Sequence, residues 1–309
     1  MISKKTSTSH QPDQPFLTKN SIPPKRERGV TLLELMVGLA IGLLVVAVAM
    51  GALMASRGIS GTVSDASTIQ QQAAFTLRII SQQLRQAGSL YLNPDPIGGA
   101  STDVLSPVVF EISATAQDSG NSFDQNDTLS GSADALTTGF RRYPDTVFKA
   151  ANATATSAGT DYLARNCVGA PGNSSTDQRV ESIFTLDSTK HELKCAGNGA
   201  ASQAITRNVA QFQVSYLEQT VAAGTGSKVQ YTKGSDMPAS SATDRWRRVQ
   251  GVQVCMVLYG SETINMPAGS SYTDCTGTSV DMTALAGERR NRMHLLFRAT
   301  YQLRSQGLI

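Results

Sequence analysis

Glu34 is a carboxylate set at the mouth of an uncharged apolar run, residues 35–55, with Arg26, Arg28 and Gly29 just ahead of it. An ionised side chain in hydrocarbon costs a few kcal/mol or more, so this carboxylate needs a partner. The positive end of its own helix is one. Four cysteines, Cys167, Cys195, Cys255 and Cys275, all follow the apolar run. An even count in an extracytoplasmic domain points to two disulfides out of three possible connectivities. The local pairing, Cys167 with Cys195 and Cys255 with Cys275, is favoured because it closes loops of about 20–30 residues, worth roughly 3 kcal/mol each. A zinc site is the alternative, but no Cys-x-x-Cys pair is present to build it. The three histidines, His10, His191 and His294, sit in no nucleophile or metal-ligand pattern, so neither an enzyme nor a cofactor is expected. Asp118, Asp124, Asn126 and Asp127 bring oxygens to one loop but miss calcium-loop spacing, and read as a solvated acidic loop. Arg245-Trp246-Arg247-Arg248 and Arg289-Arg290-Asn291-Arg292 could meet DNA or an acidic partner. A net charge of only +3 favours solvated strand ends or protein contacts instead.

These residues must be positioned by a membrane-length helix and a separate head. Residues 1–29 are polar, basic and without a periodic apolar face, which predicts a disordered leader on the cytoplasmic side. Residues 30–56 are apolar enough for a helix crossing a bilayer core of roughly 30 Å. An ordinary cleaved signal would have a shorter core and a small-residue site beyond it, for which Ala47, Ala49, Ala52 and Ala55 are the only material. Gly38 and Gly42 make a Gly-x-x-x-Gly face suited to close helix approach, and Gly51 loosens the same helix. Over residues 57–88 the pattern turns amphipathic, with Ala66, Ala73, Leu77, Ile80, Leu84 and Ala87 on one stripe, Gln70 as its polar exception and Gly88 as the stop.

Residues 89–309 are long enough for one head domain. The strongest strand signal is 293–303, where Met293, Leu295, Phe297, Ala299, Tyr301 and Leu303 alternate with a mostly polar face. Residues 212–216 and 252–258 repeat the pattern, with weaker candidates at 108–112, 135–143, 183–186 and 229–232. Long loops are expected at 114–131, 150–175, 221–226 and 261–280. The fold class is α+β: a long N-terminal helix packed on a mainly antiparallel β-sheet head.

Arg28-Gly29 followed by Val30-Thr31-Leu32-Leu33-Glu34-Leu35-Met36-Val37 resembles the processing signal of type IV prepilins and type II secretion pseudopilins. The family more often has Phe where this chain has Val30. The resemblance implies a type IV pilin-like fold, cleavage after Gly29 by prepilin peptidase and methylation of the new amine at Val30. That amine is a cation that would be costly in an apolar bundle, and Glu34 of a neighbouring chain is its natural partner. The head narrows the resemblance. Asn166-Cys167-Val168-Gly169, Leu193-Lys194-Cys195, Asn208-Val209-Ala210-Gln211-Phe212 and the terminal Phe297-Arg298-Ala299-Thr300-Tyr301 resemble the PilW family of minor pilins. That family implies a subunit joining other minor pilins and the major pilin in a tip complex, inserted in the inner membrane before assembly. It also implies support of a tip adhesin in adhesion or twitching motility. A J-type pseudopilin of type II secretion is the runner-up, followed by a pilin-like DNA-binding module.

Overall fold

The computed structural model describes residues 29–88, 92–93, 109–110, 113–114, 123–124, 128–150, 156–175, 177–222, 226–239 and 244–303. The leader and most of the acidic loop lie outside them: Asp118, Asn126 and Asp127 are not described, nor is the side chain of Asp124. Contacts divide the chain into two units, one up to Ala55 and one from Ser56 to Ile309. Helix α1 (Leu32–Gln86) contributes to both. Its first part, Leu32–Met54, has a mean hydropathy of 2.6, no buried residue, and the length and composition to cross a membrane.

Within the second unit, α1 buries Asp65, Ile69, Ala73, Thr76, Ile80, Gln83, Leu84 and Ala87. Apart from the adjacent Gln83 and Leu84, these lie three or four apart, on one face of the helix. Gln70 is exposed and Ala66 half-buried, so the covered stripe begins one residue earlier in phase than the expected one. Gly88, at φ 77°, ends the helix in the left-handed conformation that glycine tolerates best, and its N–H donates to the Gly139 carbonyl at 3.0 Å.

The head is built from antiparallel ladders. Strands β1 (Leu92–Asn93) with β2 (Val109–Phe110), and β3 (Ser113–Ala114) with β4 (Phe123–Asp124), form two-residue pairs. Then come β5 (Leu129–Gly131), β6 (Ala135–Arg141), β7 (Pro144–Ala150), β8 (Thr156–Tyr162), β9 (Arg179–Asp187), β10 (Glu192–Gly197), β11 (Ala200–Thr206), β12 (Val209–Ala222) and β13 (Gly226–Lys233). A one-turn helix α2 (Asp244–Arg247) leads to β14 (Val249–Thr263), β15 (Ser271–Thr273), β16 (Ser279–Asp281) and β17 (Arg292–Gln302). One sheet has the order β11-β10-β9-β6-β5 and another β13-β12-β14-β17. Phe212, Val214 and Tyr216 of β12 and Val252, Val254, Met256 and Leu258 of β14 point to the core. There they meet Leu136, Phe184 and Leu193 of the five-stranded sheet and Ile69, Ile80 and Leu84 of α1. Both sheets therefore share one core with the helix.

All four stretches expected as loops carry strands, and 114–131 holds the end of β3, β4 and β5. Residues 150–175 contain β8, the 221–226 segment opens with the end of β12, and 261–280 holds the end of β14 plus β15 and the start of β16. Their Ser, Thr, Gly and Ala content has no apolar alternation, so only the ladder partner reveals them. Residues 264–291 also turn back over the outer face of the four-stranded sheet. Cys255, on that face, is bonded to Cys275 across 5.8 Å between Cα atoms, and the Arg298 guanidinium donates to the Cys275 carbonyl at 3.1 Å. Cys167 is bonded to Cys195 of β10, with Cα atoms 6.3 Å apart. Replacing Cys255 and Cys275 together by serine should lower stability by about 3 kcal/mol. Trypsin should then cut at Arg289 and Arg290, which limited proteolysis with mass detection would reveal.

Candidate functional site

The N-terminal site begins at Thr31, the residue before the first helical one. The Thr31 N–H and hydroxyl both donate to Glu34 Oε2 at 3.1 Å, and the Glu34 N–H donates back to Thr31 Oγ1 at 3.3 Å. This is a reciprocal capping box, Thr-x-x-Glu, and it satisfies backbone donors that the first turn would otherwise leave open. Thr31 is a residue that the sequence reading passed over, although Thr-x-x-Glu ahead of an apolar run is the signal for it. The same contacts answer part of the Glu34 question: its carboxylate is held at the positive end of its own helix. Gly29 and Val30 precede the helix, exposed, and a side chain at residue 29 would meet nothing within 4 Å. The peptide bond between them is therefore outside the helical hydrogen-bond ladder.

Behind this cap, Gly38 and Gly42 lie one turn apart on α1, and Gly51 follows further along. A Cβ at any of the three would meet nothing within 4 Å. Leu35, Val37, Leu39, Ile41 and the other large side chains around them are at least 49% exposed, so the whole apolar surface is uncovered in a single chain.

Further along α1 a second set of polar residues holds the helix to the head. The buried Asp65 carboxylate accepts from the Ser261 N–H at 3.1 Å, the Ser261 hydroxyl at 2.8 Å and the Glu262 N–H at 3.0 Å. Gly260 is required beside it, because a Cβ there would fall on the carboxylate. Gln83 accepts from the Ser182 hydroxyl at 2.9 Å and donates to the Arg165 carbonyl, while Tyr301 donates to the Leu77 carbonyl. No period in the sequence marks Asp65 or Gln83, since both are polar residues on a buried stripe.

Most of the two basic runs is tied into the fold, although Arg248 and Arg290 remain exposed. Arg245 makes a two-pronged pair with buried Glu218 of β12, Nε to Oε1 and Nη2 to Oε2 at 2.8 Å each, and the Thr232 hydroxyl adds a third bond at 3.1 Å. Hydrogen bonding to Arg245 holds the Glu218 carboxyl below the usual range. Trp246 is buried edge-on against Tyr216, at 4.9 Å between ring centroids, and so is not a base-stacking platform. In the second run Arg289 donates to Tyr272 Oη, Arg290 to the Thr283 carbonyl and Arg292 to the Gly260 carbonyl.

His294, read from sequence as part of a polar strand face, is buried between Tyr259 and Tyr272 because residues 264–291 cover that face. Its Nδ1 lies 2.9 Å from the Arg292 carbonyl oxygen. Burial, reinforced by Arg289, pushes its pKa down to about 4. A histidine whose folded pKa is depressed contributes fully above its ordinary value of about 6.5 and loses that contribution as pH falls towards 4. Amide protection factors over residues 264–291, the exchange rates relative to an unfolded chain at the same pH, should fall between pH 7 and pH 4, and His294→Phe, which keeps the stack and removes the titration, should flatten the response. Among the described residues, no group of three His, Cys, Asp or Glu side chains could hold a metal ion.

The family described as type IV pilus-assembly protein W matches residues 174–305. The prokaryotic N-terminal methylation motif matches residues 24–50. Among solved structures, a type IV-like pilin, TTHA1219 from Thermus thermophilus, aligns with a TM-score of 0.34 and 12% identity, over 77% of this chain and 97% of that one. No curated protein matches the sequence.

Proposed function

We propose that this membrane-anchored, type IV pilin-like protein, with its PilW domain behind an N-terminal methylation motif, is a minor pilin of the tip complex that primes pilus assembly. The observation that carries the reading is the presence of both matches, 24–50 and 174–305, on one chain. In this account residues 1–29 are the cytoplasmic leader, removed by prepilin peptidase, and Val30 becomes the methylated N-terminus. Residues 30–56 hold the chain in the inner membrane and later in the filament core, where Gly38, Gly42 and Gly51 allow neighbouring helices to approach. Residues 57–88 carry the head, 89–309, which faces the periplasm before assembly and selects the neighbouring pilins. Through those neighbours the tip supports adhesion or motility.

Glu34 supplies the assembly step. Its carboxylate is already capped by Thr31, and pairing with a neighbour's Val30 amine adds a charge that the capping box alone does not use. Glu34→Gln separates the two roles, because glutamine at this position retains the capping box but carries no charge. The expected result is a processed, membrane-held Glu34→Gln subunit reduced at least tenfold in sheared filaments, as for Glu34→Ala. Wild-type incorporation of Glu34→Gln would show that capping suffices and that the charge pair is not made.

A further inference from the structure

We propose that the outer face of the four-stranded sheet, where residues 264–291 leave it uncovered, binds an acidic saccharide. The four strands are antiparallel, so cross-strand partners share a face. Phe212, Val214 and Tyr216 point to the core; the alternate residues of β12 therefore point outward. Ser215 is paired with Lys233 of β13, and Leu217 with Tyr231. Ser215 also stands opposite Gln253 of β14, which in turn faces Thr300 of β17 and donates to its hydroxyl at 3.3 Å. The result is a mostly uncharged patch in which the hydroxyl and amide groups of Ser215, Gln253 and Thr300 adjoin Leu217, Val229 and the Tyr231 ring at its edge.

Tyr231 is 60% exposed and has no ring or cation partner among the described residues. A bare aromatic face on a sheet offers its electron-rich surface to the C–H face of a pyranose, while neighbouring hydroxyls and amides supply hydrogen bonds. Two residues along the same strand, about 7 Å away, is Lys233. It lines a cleft of about 170 Å³ with Gln213, Ser215, Ser235 and Thr276, where the end of β13 meets the disulfide-held turn at Cys275. Lys233 pairs with no carboxylate among the described residues. A sugar ring seated on Tyr231 would carry its ring substituents towards this cleft. A carboxylate on that ring is the group that Lys233 would select, by a charge-assisted hydrogen bond. The cleft is too small for a polymer to enter, which favours recognition of one terminal or protruding residue.

The test uses the full chain extracted in detergent, titrated with tetragalacturonate, 3′-sialyllactose and a neutral maltotetraose as probes. Binding of at least one acidic sugar, tenfold or more tighter than maltotetraose, is expected. The uronate arm identifies a polysaccharide of the bacterial-envelope or plant type as the source, and the sialyl arm an animal glycan. Tyr231→Ala should weaken acidic-sugar binding at least tenfold, and Lys233→Gln should reduce it to the neutral-sugar level. Lys228→Gln removes an equal charge from the opposite face of β13 and should change nothing. Unaltered Trp246 fluorescence would show that each variant is folded. No binding of either acidic sugar at 10 mM, binding indifferent to Tyr231→Ala, or equal losses from Lys228→Gln and Lys233→Gln would overturn the proposal.

Discussion

Gly29→Val is expected to leave essentially all of the chain at its unprocessed length and to remove it from filaments. Residue 29 lies outside α1, and a Cβ there meets nothing within 4 Å, so the substitution disturbs no packing in the fold. Loss of processing would therefore be a failure of recognition by the peptidase. Without the cut there is no amine at Val30, and a neighbour's Glu34 has no cation to pair with. In the proposed orientation, retaining residues 1–29 would also keep Lys25, Arg26 and Arg28 beside the membrane on the cytoplasmic side, opposing extraction of the helix. Immunoblots of membrane and sheared-filament fractions should show a longer, membrane-bound band and an empty filament lane. A normal-length band in the filament lane would rule out Gly29 as the residue before the cut.

Arg245→Ala is expected to destabilise the head by about 1–3 kcal/mol, less than for a fully buried ion pair, because the Arg245 side chain is 38% exposed and water can screen the Glu218 charge left behind. Glu218 is only 2% exposed, and Arg245 supplies two of its hydrogen bonds. Arg245→Lys should recover part of the loss, since an ammonium cannot reproduce the two-pronged geometry. Replacing the pair together, Arg245→Met with Glu218→Leu, should recover most of it, because no buried charge remains. The adjacent Trp246 is the chain's one tryptophan, so denaturant titrations followed by its fluorescence report unfolding at this place. The pair also sets an acid limit. Arg245 depresses the Glu218 carboxyl, so its contribution is present above the unfolded carboxyl value and disappears as pH falls through the lower folded one.

What could be read from the sequence was whatever repeats or stands in a compact motif. The apolar run from Leu32 and the alternation over 293–303 each commit a face to apolar surroundings, and both became the expected elements, α1 and β17. Val252, Val254 and Met256 did the same for β14. The features that escaped depend on partners far along the chain. Asp65 is polar on a buried stripe because Ser261 and Glu262, nearly two hundred residues away, present N–H groups to it. Arg142 is fully buried because its guanidinium gathers the carbonyl oxygens of Pro171, Gly172 and Ser175. Arg245 and Trp246 resembled a nucleic-acid patch because charge beside an aromatic looks the same whether it faces water or closes a core. His294 looked exposed for a related reason: the alternation of β17 says which face it is on, but not that residues 264–291 return to cover that face. At the N-terminus, Thr31 and Glu34 were both visible, and the capping box joining them needed only the Thr-x-x-Glu spacing to be recognised.

The most direct measurement is the intact mass and N-terminal sequence of the membrane-extracted protein from cells with and without active prepilin peptidase. A chain beginning at methylated Val30 only where the peptidase is active is the predicted result. A Met1 start in both cells, or a cut near Ala55, would contradict the account and remove the role given to Glu34.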